Sequence, residues 1–368
     1  MNYYIIAGEA SGDLHASNLM KELKLLDLNA KFRCWGGDLM KAQGADLVKH
    51  YRDLAFMGFT EVLINLPTIL NNIKFCKKDI IDHKPDVLIL VDYPGFNLRI
   101  AEYAKTAGIK VFYYISPQIW AWKQSRVHKI KKVVDKMFVI LPFEKEFYQR
   151  FSYIVDFVGH PLLDAVVNYT KQTNDLSVLT NKPIIALLPG SRKQEITSML
   201  PIMLSLINQY KNYQFVIAAA PSQNKNFYQT FIGESDVKIV FGETYQLLQK
   251  AEAALVTSGT ATLETALFGV PEVVCYKGGA ISYTIAKQLV KVKYISLVNL
   301  IMDEEIVKEL IQNEFNERNL KLELDKLLNP QTRIKMLAHY SKLKIKLGGS
   351  GASKKTAELM IGYLNIKF

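Results

Sequence analysis

Cysteine is scarce in this chain of 368 residues: Cys34, Cys76 and Cys275 stand far apart, and none belongs to a Cys-x-x-Cys pair. That excludes a disulfide framework and a zinc cage and points to a reducing compartment. Long apolar runs are missing as well, since nothing reaches the ~18 consecutive apolar residues that span a bilayer. The opening MNYYIIAGEASGD has an apolar run too short for a signal peptide, no basic segment ahead of it, and Glu9 and Asp13 directly behind it. A cytoplasmic chain whose membrane contact is peripheral is the expectation. There is no His-Glu-x-x-His, no Gly-x-Ser-x-Gly and no Asp-x-Asp, so zinc peptidase, hydrolase-elbow and metal-chelating diphosphate chemistries are set aside. Neither a metal nor a cofactor is expected. Internal repeats and low-complexity tracts are absent too.

What is present is a well-supplied apolar interior and an excess of positive charge. Hydrophobic residues make up 49% and the formal net charge is +11, which attracts polyanions or anionic membrane surfaces. Apolar runs alternate with amphipathic segments through both halves. Continuous runs such as VLILV at 87–91 suit parallel strands covered on both faces. The pattern predicts an α/β fold of two Rossmann-like domains facing across a cleft. The expected divisions are 1–167, a polar linker at 168–182, a second domain at 183–346 and a C-terminal helix at 347–368. From 303 onward the pattern reads as helical.

Four segments can carry chemistry. AGEASGD at 7–13 follows a strand and precedes a helix read from Leu14, and its glycines allow close backbone approach to a polar ligand. It is not Gly-x-Gly-x-x-Gly, and Asp13 reads equally as a helix cap. VDYPGF at 91–96 ends a buried strand in Asp92, where desolvation favours a general base; a cap or turn residue is the equal alternative. LLPGSRKQE at 187–195 and VTSGTATLE at 256–264 each join a strand to a helix start. The first brings Arg192 to a diphosphate, and Glu264 of the second lies one turn beyond Thr260, placed to hold a ribose. GGSGASKK at 348–355 fails the Walker pattern and reads as a helix break and cap.

Two further stretches stand between readings. Residues 56–76 are unusually apolar and are followed by Lys77 and Lys78, which suits a lipid interface or core helices broken at Pro67. Residues 123–136 are basic and follow Trp120 and Trp122, which suits nucleic acid or a solvated helix face.

Together these motifs resemble the lipid-A-disaccharide synthase family nearly end to end. The residues that carry the resemblance are AGEASGD at 7–13, KPDVLILVDYPGFN at 84–97, YYISPQIWAWKQSRVHKIKK at 113–132, LPFEKEFY at 141–148, FVGHPLLD at 157–164, LLPGSRKQEI at 187–196, TSGTATLE at 257–264 and YISLVNL at 294–300. The resemblance implies a GT-B fold whose final helix returns to the N-terminal domain. It implies inverting transfer from UDP-2,3-diacylglucosamine to 2,3-diacylglucosamine 1-phosphate, giving a β-1,6-linked disaccharide and UDP in Gram-negative lipid A synthesis. Asp92 matches the proposed base, with Glu9, Ser11, Gly12, Asp13, Ser116 and Trp120 around the acceptor and reaction centre. Gly190, Ser191, Arg192, Ser258, Gly259, Thr260, Glu264 and Asn299 match the UDP cradle. Phe59, Val62, Leu63, Leu66, Ile69, Leu70 and Ile73 match a membrane-contacting region at the inner membrane, and the family allows a homodimer. Where some members read Asp-x-Pro-Asp-Phe, Gly95 here removes a second acid, which concentrates the base assignment on Asp92. The competing readings are another GT-B enzyme of UDP-sugars, either a peptidoglycan N-acetylglucosaminyltransferase or a UDP-sugar epimerase, and, from a different class, a nucleic-acid-binding protein.

Overall fold

Apolar runs too continuous to alternate become the central strands of two parallel sheets. In the computed structural model, which describes residues 1–54, 66–170, 176, 180–279 and 292–365, the first sheet holds β1 (Asn2–Ala7), β2 (Lys31–Gly36), β3 (Asp46–His50), β4 (Val87–Val91), β5 (Lys110–Tyr114), β6 (Lys136–Val139) and β7 (Asp156–Phe157). Its order is β3-β2-β1-β4-β5-β6-β7. The second sheet holds β8 (Ile184–Leu188), β9 (Gln214–Ala219), β10 (Val237–Phe241), β11 (Ala251–Thr257), β12 (Glu272–Tyr276) and β13 (Lys308–Ile311), in the order β10-β9-β8-β11-β12-β13. Strands β4 and β8 are buried along their whole length, as helices on both faces of a parallel sheet require.

Both sheets reverse their winding direction between the first strand and the fourth. In open α/β sheets ligands bind beyond the carboxyl ends of the strands at such a point. Register makes the two exits neighbours: Ala7 lies opposite Val91 across β1 and β4, and Leu188 lies opposite Val256 across β8 and β11. The AGEASGD and VDYPGF segments therefore leave the first sheet side by side. The LLPGSRKQE and VTSGTATLE segments do the same in the second.

The chain divides into two units, Met1–Asp164 with Leu347–Phe368, and Ala165–Lys346. The last helix, Ala352–Asn365, belongs to the first unit and packs on helix Ala10–Leu26. Its start is tied to Asp164, whose carboxylate accepts from the Gly351 N–H and from the Ser353 N–H at 3.3 Å. Close by, the His160 N–H donates to the Leu347 carbonyl at 3.0 Å.

Two expectations need correction. The first helix begins at Ala10 rather than Leu14, because the small residues of its first turn lack the apolar periodicity that marks the rest. The tail after residue 303 is not wholly helical, since KELI at 308–311 pairs with β12 as an edge strand. Pro67 lies on helix Leu66–His83, and the residues ahead of it, where the first of the two helices was read, lie outside the described residues. On that helix Leu66 and Leu70 are exposed, Ile69 is half-buried and Ile73 is buried. Phe59, Val62 and Leu63 lie outside the described residues, as does most of 168–182. Among the described residues no helix is long and apolar enough to cross a membrane.

Candidate active site

Asp92 leaves β4 in a conformation that L-residues rarely adopt. Its φ is +44°, and that of Tyr93 is +49°, a pair of left-handed residues whose steric cost the surroundings must offset. The offset is visible in the hydrogen bonds. The Asp92 carbonyl accepts from Asn97 Nδ2 at 2.7 Å and from the Tyr113 hydroxyl at 2.5 Å, and its N–H donates to the Tyr114 carbonyl at 3.2 Å. Pro94 then starts helix Pro94–Thr106 at its first position. The main chain is thereby held while the carboxylate projects from the end of the strand.

Burial pushes the Asp92 carboxyl up to about 7, and the nearby charge of Glu9 adds to the rise. A backbone hydrogen bond from Tyr93 opposes it. Glu9 is the extended residue before helix Ala10–Leu26 and caps nothing with its side chain. Gly8 permits this crowding: a Cβ there would fall 2.3 Å from Cγ of Tyr93, so the ring lies directly against the glycine. Ser11 is exposed in the first turn of the helix. Gly12 is buried there, where an added Cβ would lie 3.2 Å from the Ala7 Cβ.

Asp13, expected at the reaction centre or as the cap of its own helix, has another task. Its carboxylate is buried and accepts from the N–H groups of Gly37 at 2.8 Å, Leu39 at 3.1 Å and Met40 at 3.1 Å. It caps helix Asp38–Ala42, so its oxygens are spent on protein donors. Ser116 and Trp120 are also buried rather than presented to a ligand. Ser116 Oγ shares a hydrogen bond with the Tyr148 hydroxyl at 2.7 Å. Both residues neighbour Glu144, whose carboxyl burial raises to about 7 against the pull of Leu141, Ser116, Ile140 and Trp120.

In the second unit Gly190 turns with φ +107°, and a Cβ on it would meet the Glu195 carboxylate at 2.7 Å. The N–H groups of Ser191 and Arg192 both donate to Glu195 at 3.2 Å, so these amides are already partnered. Glu195 also lies 3.4 Å from the Arg192 guanidinium. The cause is Glu195 at the third position of helix Lys193–Leu204, whose carboxylate reaches back to the amides ahead of the helix. The neighbouring helix Thr260–Leu267 starts at Gly259 without a side-chain cap, and Thr260 is exposed. Ser258 Oγ donates to the Ile295 carbonyl at 3.0 Å. Glu264 accepts from the Tyr245 hydroxyl at 2.9 Å, and burial raises its carboxyl.

Asn299 was expected to touch nucleotide, yet it is fully buried and its hydrogen-bonding capacity is filled. Nδ2 donates to Val307 O at 2.8 Å and to Glu309 Oε1 at 2.9 Å; Oδ1 accepts from Ile306 at 2.8 Å and from Val307 at 3.0 Å. Glu309 in turn accepts from the N–H groups of Ile295 and Ser296. Asn299 thus braces the segment whose Ile295 carbonyl receives Ser258.

Sequence reasoning did not single out Tyr93, Asn97, Tyr113, Glu144, Glu195, Tyr245 or Glu309. Asn97 carried a signal, a polar residue in the first turn of a helix whose neighbours Phe96 and Leu98 are buried. The others act through contacts made only in the folded chain.

A family model described as lipid-A-disaccharide synthetase matches residues 3–361. The lipid-A-disaccharide synthase of Syntrophus aciditrophicus (strain SB) is 40% identical over 97% of this chain and 96% of its own length. That of Geobacter metallireducens is 38% identical over 99% and 97%. The chain belongs to the lipid-A-disaccharide synthase family. As a member of that family it is a glycosyltransferase of lipid A biosynthesis. Solved structures share its GT-B fold. The UDP-GlcNAc 2-epimerase from Neisseria meningitidis bound to UDP-GlcNAc superposes with a TM-score of 0.70 at 15% identity, covering 98% of this chain and all of that one. The glycotransferase of kitacinnamycin does so with a TM-score of 0.69 at 12% identity, over 99% of each.

Proposed function

We propose that the chain transfers a 2,3-diacylglucosaminyl group from its UDP derivative to the 6-hydroxyl of 2,3-diacylglucosamine 1-phosphate. The reading rests on Asp92, a carboxylate fixed at the switch point of the first sheet and poised near neutrality by burial and by Glu9. Asp92 takes the proton of the acceptor hydroxyl as its oxygen bonds to the anomeric carbon. The bond from that carbon to the diphosphate breaks on the opposite face, and its electron pair leaves with UDP. A base so placed contributes about 10²–10⁴-fold. Inversion gives the β-1,6 linkage.

The leaving diphosphate is the task of the second unit. The start of helix Thr260–Leu267 and the Arg192 guanidinium favour negative charge. For phosphate to reach the Ser191 and Arg192 amides, Glu195 must give way. A UDP-sugar donor is supported by the Neisseria meningitidis epimerase of the same fold, which was solved with UDP-GlcNAc bound. The acyl chains of both substrates favour work at a membrane surface, and helix Leu66–His83 leaves Leu66, Leu70 and Phe75 exposed beside Lys74 and Lys78.

The test is incubation with both substrates in detergent, with detection of UDP and the disaccharide. Absence of product overturns the reading. Asp92→Asn is expected to abolish turnover while UDP binding persists, and full turnover in that variant removes Asp92 as the base.

A further inference from the structure

The connection from β5 to β6 carries a group that the transfer chemistry above leaves unused. Helix Ile119–Trp122 buries its first tryptophan and presents its second: Trp120 is buried, whereas Trp122 is 50% exposed. The Arg126 guanidinium carbon lies 4.8 Å from the centre of the Trp122 ring. Such a contact holds a guanidinium in place while leaving its N–H donors to other partners.

Among the described residues no carboxylate forms an ion pair with Arg126, whereas Lys129, one turn along, pairs with Glu102 at 2.8 Å. Lys123 beside it is exposed, and the first turn of helix Arg126–Val133 contains no acidic residue. Among the described residues the positive charge of Lys123 and Arg126 is not offset by an ion pair.

The place is the same edge of the sheet that holds Asp92. The connection leaves β5, which lies next to β4, and the Tyr113 hydroxyl at the end of β5 donates to the Asp92 carbonyl at 2.5 Å. Burial holds the Tyr113 hydroxyl un-ionised, the Asp92 carboxylate adds to that, and the Arg126 guanidinium opposes it, so the phenol feels both charges. One edge therefore carries two carboxylates, Glu9 and Asp92, and a guanidinium held by an indole.

We propose that Arg126, held against Trp122, is the seat of the phosphate monoester of the acceptor and selects the phosphorylated sugar over its neutral counterpart. This rests on the transfer reading above and assigns a residue to one end of the acceptor. The guanidinium fork matches two phosphate oxygens, and the indole limits the rotamer freedom lost on binding. Orientation follows from sign. A phosphate is repelled by Glu9 and Asp92 and drawn to Arg126, so the hydroxyl at the far end of the sugar is turned toward the base.

The experiment compares 2,3-diacylglucosamine 1-phosphate with the same sugar lacking phosphate, for the unmodified protein and for Arg126→Ala, Arg126→Lys and Trp122→Ala. Arg126→Ala is expected to raise KM for the phosphorylated acceptor by roughly ten- to a hundredfold, the scale of a charge-assisted hydrogen bond. KM for the donor, UDP affinity and use of the neutral acceptor should stay as they were. Arg126→Lys should recover part of the loss, and Trp122→Ala should show a smaller rise in the same parameter. A preference for phosphate that survives Arg126→Ala overturns the proposal. Equal losses with both acceptors overturn it too, because they mark a structural role. No disaccharide from the unmodified protein with either acceptor instead removes the transfer reading and the proposal together. Lipid headgroups also offer phosphate, so binding to phosphatidylglycerol vesicles is measured without substrate. Equal binding by the unmodified protein and Arg126→Ala is expected; lost vesicle binding with an unchanged acceptor preference assigns the guanidinium to the membrane and overturns the proposal.

Discussion

Asp92 combines two costs, a left-handed backbone and a buried carboxyl, and each makes a separate forecast. The carboxyl stands near 7 in the folded protein against an ordinary value of 3.8. Below about pH 4 it is neutral in both folded and unfolded chains and costs nothing. As pH rises toward 7 the unfolded carboxyl ionises while the folded one does not, so the penalty grows, and above 7 it is constant. Asp92→Asn should therefore raise the thermal midpoint at about pH 8, with the gain shrinking to nothing near pH 4. An equal gain at both pH values would trace the effect to the backbone instead. Catalysis runs in the opposite sense, since the base must be ionised and rates should fall as pH drops through about 7. Glu9→Gln removes the like charge but not the burial, which is the larger cause. The acid limb of kcat/KM should move to lower pH without disappearing, and an unmoved limb would show that Asp92 does not sense Glu9. At this scale the sequence disclosed the carboxylates, because a strand ending in an acid before Pro-Gly is a local pattern. It did not disclose Asn97 and Tyr113, which hold Asp92 from an adjoining helix and strand.

Elements were legible in proportion to their burial. β1, β4 and β8 are nearly all apolar and stand out, whereas β3, β7 and β13 lie at or next to sheet edges and carry Asp, Lys or Glu within four or five residues or fewer. An edge strand needs only one covered face and one partner, so it leaves little periodicity to read. Caps between elements distant in sequence were hidden for the same reason. Asp13 reaches Gly37, Leu39 and Met40, a contact no local pattern announces. Asp13→Ala leaves buried N–H groups without an acceptor and should cost roughly 1–3 kcal/mol in urea unfolding, with Asp13→Asn recovering part of it. Lost turnover at unchanged stability would return Asp13 to the reaction centre. Asn299 teaches the same lesson in the second unit: its position within YISLVNL was plain, but its saturation by Ile306, Val307 and Glu309 required the fold.

At the scale of the whole molecule, the net charge of +11 acquires an address. Lys74 and Lys78 are exposed on helix Leu66–His83, near Leu70 and Phe75, while Lys77 lies 4.9 Å over the Tyr103 ring. Charge reversal at Lys74, Lys77 and Lys78 should weaken sedimentation with anionic vesicles more than it alters UDP affinity. Equal losses in both assays would indicate general destabilisation, to which Lys77 contributes through its ring contact. The two-sheet plan was readable from alternation alone, but the covering of the first unit by the last helix came from the family resemblance, because periodicity does not say what a helix lies against. That covering helix has a consequence in time. Ala352–Asn365 closes over Ala10–Leu26, yet a ribosome reaches it only after making all of Ala165–Lys346. At ordinary elongation speeds the first helix waits roughly seventeen to seventy seconds for its cover. The unit begun first is finished last, and in that interval the nascent chain offers its apolar stripe to whatever chaperone stands at the exit tunnel.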